Sequence, residues 1–269
     1  YYDPSRVGQA YVTVIGTIVV VVALWIAMSY WTLTDTRRSQ RILWDATRGI
    51  RRLTVDRFSS QQAAKKPWTE KDISKFHWVN TRTPSREESP EYQELAANDF
   101  ADFRLEVGGM VSAPASFSLA ELKAISSQSQ ITMHTCMQGW TGIAKWTGIR
   151  VRDLLAQVGQ IDPEAGWVMF ESFGMAQHMH DGRPVEPYYT CLPLDMALED
   201  DTILAWDRND APLSGMFGAP LRLRCETSHG YKMIKWVRSV TLIRHYSEVG
   251  DGMGGTREDS GYQDVNARI

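Results

Sequence analysis

Cys136 lies in HTCMQGWTGIAKW, residues 134–146, and is the first of three cysteines in 269 residues. A thiolate is a soft ligand suited to a transition metal; a strand-end cysteine is otherwise a small core residue. Downstream, GAPLRLRCETSHGYKMIKW, residues 218–236, gathers Arg222, Arg224, His229, Lys232 and Lys235 around Gly230. Arginine offers a planar fork for phosphate oxygens and lysine a mobile point charge, and a glycine among them lets backbone N–H groups approach an anion. Together, the thiolate and the anion cradle suit a cofactor with a soft-metal end and a phosphate tail; separately, they are a core thiol and a solvated strand face. Cys136, Cys191 and Cys225 are far apart, with no CxxC, no CxxCH and no zinc-like spacing, and a Cys191–Cys225 disulfide stays open. His178 and His180 with Asp181 read as a polar loop or a metal-binding one. His134, two residues before the cysteine, shares its face in an extended strand.

These residues need a scaffold that brings positions 136 and 222–235 together. Alternation predicts strands over 104–111, 129–136, 166–173, 202–213, 220–226 and 235–243. Ser118 with Glu121 forms a capping box for a helix through Ile125, and helices are expected over 151–159 and 192–200. Strands and short helices interleave without a regular βαβ rhythm. That predicts an α+β fold with a mixed or antiparallel sheet. GxGxxG and GxxxxGK[ST] are absent, so dinucleotide and P-loop chemistry have no support.

The segments CMQGWTGIAKWTGIRVRDLL, FESF, LAWDRNDAPLSGMFGAPLRLR and GYKMIKWV occur in the order and spacing of sulfite-oxidase-like molybdopterin-binding oxidoreductase domains. The resemblance runs from about residue 95 to 257 and is strongest to the bacterial membrane-associated branch that includes the methionine-sulfoxide reductase catalytic subunit. It implies a molybdenum–molybdopterin cofactor with Cys136 as the protein thiolate on the metal. It implies pterin contacts from Asn98 and Asp102, and from Ser172. On the phosphate side it implies Arg222 and Lys235, with backbone contacts from Met233 and Ile234. Gln138 and Trp140 are candidates for the substrate side. Phe217 and Ala101 depart from the family pattern, which carries polar residues there; the phenyl ring cannot make the conventional hydrogen bond. Met137-Gln138-Gly139 replaces an arginine that sulfite oxidases carry just after the cysteine, so sulfite oxidation is not expected. Two functions follow from the resemblance. One is a two-electron oxo-transfer enzyme fed by a membrane cytochrome. The other is a cofactor-free scaffold bracing a respiratory or photosynthetic membrane complex.

Ahead of this domain, Ala10–Leu33 is uncharged and long enough to cross a bilayer as a helix, with Tyr11, Tyr30 and Trp31 as interface anchors. Arg37, Arg38, Arg41, Arg48, Arg51 and Arg52 follow it, which predicts a single-pass protein with its domain on the cytoplasmic side, the periplasmic side being the alternative. Leu43, Ala46, Ile50 and Leu53 fall on one helical face, suited to an anionic lipid surface. The expected organisation is an anchor over 1–36, an amphipathic helix and extended linker over 37–97, the molybdopterin-binding-like domain over 98–257 and a tail over 258–269. Tyr1 reads as the product of processing or an incomplete start. A net charge of −3 gives no broad basic surface for nucleic acid.

Overall fold

The computed structural model describes residues 4–53, 67–176 and 186–262. It divides into two units, 1–55 and 56–269. The first unit is two helices, α1 (Pro4–Thr34) and α2 (Thr36–Leu53). From Val7 to Thr34, α1 is long and apolar enough to cross a membrane by length and composition, and its apolar window is exposed along its length. In α2 the apolar residues Ile42, Leu43 and Ile50 are exposed.

The second unit is α+β, as the interleaved pattern predicts. After α3 (Pro90–Ala97) come β1 (Leu105–Gly109), β2 (Ala115–Phe117), α4 (Leu119–Ile125), β3 (Gln128–Thr135) and β4 (Thr141–Arg150). Then follow α5 (Val151–Leu155), β5 (Trp167–Met175), β6 (Pro187–Pro193), α6 (Leu194–Ala197) and β7 (Thr202–Arg208). The last elements are β8 (Ala211–Pro212), β9 (Arg222–Cys225), β10 (Val237–Ile243) and α7 (Thr256–Asp259). One sheet has the order β2-β1-β10-β5-β6 and is mixed, because β1 and β10 run parallel. The other has the order β3-β4-β7-β8, with β9 also on β7, and its pairs are antiparallel. The main apolar core includes Leu105, Val107, Ile149, Phe170, Leu204, Leu223 and Val240, so both sheets contribute to it.

The caps behave as their sequences dictate. Ser118 accepts from the Glu121 N–H while Glu121 accepts from the Ser118 N–H, closing the predicted box. Ser89 accepts from Tyr92 N–H ahead of Pro90 and starts α3.

Two features differ from the sequence expectations, and one open question is settled. The ten-residue β4 was not predicted, because its inward positions include Gly142, Ala144 and Gly148, which give no apolar alternation. Gly148 is required by close packing: a Cβ there would lie 2.1 Å from the Leu204 carbonyl on β7. The expected helix over 192–200 shrinks to the single turn of α6, since Leu192 and Pro193 belong to β6. All three cysteines are free thiols, so the open Cys191–Cys225 pairing is not made.

Late in the chain Lys232 and Glu258 form an ion pair with essentially no solvent exposure. Lys232 Nζ also donates to the carbonyls of Cys191, at 3.1 Å, and Gly254, at 3.2 Å. The pair therefore ties α7 to β6 and to the turn before β10. A buried charge left alone is more costly than the pair. Lys232→Met is expected to lower unfolding free energy by about 3–5 kcal/mol in urea titration, and the double variant Lys232→Met/Glu258→Leu by clearly less.

Candidate functional site

A cleft of about 500 Å³ opens in the second unit. Cys136, Gln138, Trp140, Ser172, Arg222, Met233, Ile234 and Lys235 all line it. The sequence places these residues up to 99 positions apart; the fold gathers them because β3, β5, β9 and the run into β10 all end or begin there.

Cys136 follows β3 and is only 7% exposed. A tight turn closes behind it: Cys136 N–H donates to Trp140 O at 2.9 Å, and Gly139 N–H donates to Cys136 O at 3.0 Å. The sulfur accepts from the Gln138 N–H and from Asn80 Nδ2, both at 3.5 Å. The thiol faces Gln138 Oε1 at 3.9 Å. Gln138 Oε1 in turn accepts from Asn80 Nδ2 at 3.1 Å and Trp140 Nε1 at 3.4 Å, which fixes the amide beside the sulfur.

Beneath this turn lies a concentration of positive charge. The ring of Trp146, fully buried on β4, has Arg224 at 4.4 Å, Arg222 at 5.1 Å and Arg208 at 5.9 Å from its centroid. Arg224 is neutralised by a two-pronged pair with Glu226, at 2.8 and 2.6 Å. Among the described residues no carboxylate does this for Arg222 or Arg208. Arg222 is 7% exposed, gives one bond to Phe217 O at 3.3 Å and leaves Nε without a partner. Burial, reinforced by Arg224 and Arg208, pulls its pKa down to about 9.

Histidines in this region stay neutral. Burial, then the charges of Arg222, Arg208 and Arg224, lower His77 to about 3. Burial and the charge of Arg224 hold His134 well below the ordinary range. His134 Nδ1 faces Arg224 Nη1 at 3.0 Å, and its Nε2 abuts Gly230, where a Cβ would lie 2.3 Å away. His134 lines the cleft, on the face that it shares with Cys136.

Lys235 serves the wall as well as the cleft. Its ammonium donates to Asn80 O at 2.8 Å, Thr81 O at 3.2 Å and Met216 O at 2.9 Å. Thr81 is held at φ +62°, a strained value for a β-branched residue, and both carbonyls beside it turn toward the ammonium. Burial and the like charge of Arg222 bring Lys235 down to about 7. Ser172 Oγ donates to Lys235 O at 2.7 Å and accepts from Gly174 N–H at 2.8 Å.

The resemblance assigned pterin contacts to Asn98 and Asp102, and the structure does not bring these two into the cleft. They are exposed at the end of α3, where Asn98 Nδ2 donates to Asp102 Oδ2 at 2.5 Å. Asn80 is the asparagine that reaches the cysteine. It lies in the segment expected to be linker, which instead docks on β4 through Ser74 N–H to Ile143 O, at 3.0 Å, and lines the cleft from Trp78 to Arg82. Its polar composition hid this; the short aromatic and apolar run Phe76–Val79 was the available signal. Ala101 is exposed at a turn. Phe217 packs its ring under Arg208, at 4.0 Å, and offers only its carbonyl to Arg222. His178, His180 and Asp181 lie outside the described residues.

The chemistry present fits a molybdopterin group. A thiol with two donors on its sulfur suits a soft metal, and Arg222, buried with an unpartnered Nε, suits a phosphate. Residues 92–249 match the family described as "Oxidoreductase molybdopterin binding domain". The chain belongs to this family. It is similar to the "Putative protein-methionine-sulfoxide reductase subunit YedZ1" of Azospira oryzae, with 33% identity over 63% of this chain and 57% of that protein. It is also similar to the "Protein-methionine-sulfoxide reductase catalytic subunit MsrP" of Xanthomonas axonopodis pv. citri, with 32% identity over 54% of this chain and 46% of that one. Mitochondrial sulfite oxidase of Drosophila melanogaster shares 29% identity over 65% of this chain and 31% of its own length. The chain thus spans about half the length of the first two relatives.

The lowered pKa of Lys235 has a sign that can be tested. The unfolded lysine holds its proton up to its ordinary 10.5, so between about 7 and that value the unfolded state binds more protons and stability rises with pH. The cleft's positive charge falls over the same range. Sulfate, whose charge is constant there, is expected to bind more weakly at pH 8 than at pH 6 by isothermal titration at fixed ionic strength. Lys235→Gln should flatten that dependence; an unchanged slope in the variant would assign it to another group.

Proposed function

We propose that this chain is a membrane-anchored molybdenum-cofactor oxidoreductase in which the Cys136 thiolate is the protein ligand to the metal. The observation that carries this reading is a single one: Cys136 and the uncompensated Arg222 face the same cleft. When bound, the cofactor supplies two-electron oxo-transfer chemistry at molybdenum. The chain's own residues hold and orient it. Asn80 and the Gln138 N–H donate to the sulfur and orient it, Arg222 binds the phosphate oxygens, and the Met233–Lys235 backbone lines the pterin side. Gln138 and Trp140 border the substrate beside Cys136. His77 and His134, kept neutral by burial and the arginines, add no charge to the region. α1 serves as a single membrane span, and the arginines after it favour a domain on the cytoplasmic side, the periplasmic side being the alternative. Electrons are exchanged with a membrane cytochrome.

A second reading has its own observation. The Ser172 hydroxyl, the three hydrogens of Lys235 and the ring of Phe217 are all engaged by the protein itself. A lining whose polar groups are satisfied in this way suits a domain that has lost its cofactor and braces a membrane complex.

Metal analysis of protein purified from its native membrane separates the two. One molybdenum per chain is expected. Cys136→Ser is expected to abolish turnover and to lose most of the metal while the thermal unfolding midpoint stays within a few degrees. No molybdenum in wild-type protein recovered within a stable large assembly selects the scaffold.

A further inference from the structure

One basic group on the cleft wall lies beyond the family match. Arg257 belongs to α7, past the end of the family match at residue 249. The two acids that follow it are pinned inside the protein. Glu258 pairs with Lys232, and Asp259 accepts from Tyr189 Oη at 2.5 Å and from the Asp251 and Met253 N–H groups at 3.1 and 3.0 Å. These contacts fix the rotation of α7, and Arg257 is left on the cleft side.

Its surroundings are aromatic. The guanidinium carbon is 5.8 Å from the ring centroid of Tyr188 and 5.7 Å from that of Tyr262. Tyr231 stands edge-on to Tyr262 at 5.5 Å, and Tyr188 Oη donates to Tyr231 O at 3.2 Å. All four side chains belong to lining residues. Among the described residues no carboxylate pairs with Arg257. The lining carboxylate, Glu88, is taken by Arg82 at 2.8 Å. The wall therefore holds a half-buried, oriented cation with flat apolar faces around it. A charge-assisted bond made there is shielded from water, and the rings can hold an apolar body against it.

We propose that Arg257, framed by Tyr188, Tyr231 and Tyr262, binds the carboxylate or sulfonate of a small organic anion that is the substrate of this cleft. The assignment of this ligand as substrate rests on the oxidoreductase reading; its binding does not. The volume of the cleft, shared with a cofactor, keeps the anion small, and the charge selects against neutral analogues.

The test uses the full chain in detergent, with molybdenum content measured on each preparation. Benzoate, benzenesulfonate and neutral benzamide are titrated by calorimetry into wild type, Arg257→Gln, Arg257→Lys and Arg222→Gln. The two anions are expected to bind wild type at least about tenfold more tightly than benzamide, equivalent to 1.4 kcal/mol. Arg257→Gln should lose that preference, Arg257→Lys should keep part of it, and molybdenum per chain should stay unchanged in both. Equal anion affinity in wild type and Arg257→Gln overturns the proposal. So does an anion affinity that falls in Arg222→Gln alone, or loss of molybdenum in Arg257→Gln, which would make Arg257 a cofactor residue. A wild type without molybdenum defeats the oxidoreductase reading, and the anion titration still decides for or against the Arg257 site.

Discussion

Positive charge that the protein does not neutralise governs the site. Three guanidinium groups approach Trp146, and Glu226 answers only Arg224. Arg222 is buried beside them with an unpartnered nitrogen. Burying an ion without a partner costs several kcal/mol, so such an arrangement persists where surrounding packing holds it and an anion can relieve it. The indole face softens the cost through cation–π attraction. The neutrality of His77 and His134 follows from the same field, since a further proton would add to an existing excess.

The cleft wall is stapled by a few polar contacts of long sequence separation. Lys235 joins the Asn80–Thr81 strap to the turn at Met216, and Ser172 joins β5 to the carbonyl of Lys235. The strap carries Asn80 to the sulfur of Cys136. Lys235 thus also sets the position of a donor on the thiol. Strain at Thr81 is retained because the ammonium rewards both adjacent carbonyls.

The segment Thr256–Asp259 is equally tied in. The ion pair of Lys232 with Glu258 anchors α7, although the family match stops at residue 249. Shared family residues build the floor of the cleft, and residues outside the match, Trp78–Arg82 and Thr256–Tyr262, complete its walls. Variation in such walls changes what a cleft admits without disturbing the chemistry at its base.

The sequence by itself determined the α+β class, the apolar N-terminal helix, the amphipathic α2, the capping box at Ser118 and the thiol and cations at Cys136, Arg222 and Lys235. Each is local: a period, a cap or a motif whose residue types carry their own chemistry. Only tertiary structure decided that Asn80 meets the sulfur, that the apparent linker is a wall, and that β4 exists despite its glycines. It also decided that Phe217 supports Arg208 with its ring. These depend on which surfaces meet across long stretches of chain, and a polar segment or a small residue carries no local mark of the neighbour against which it will pack.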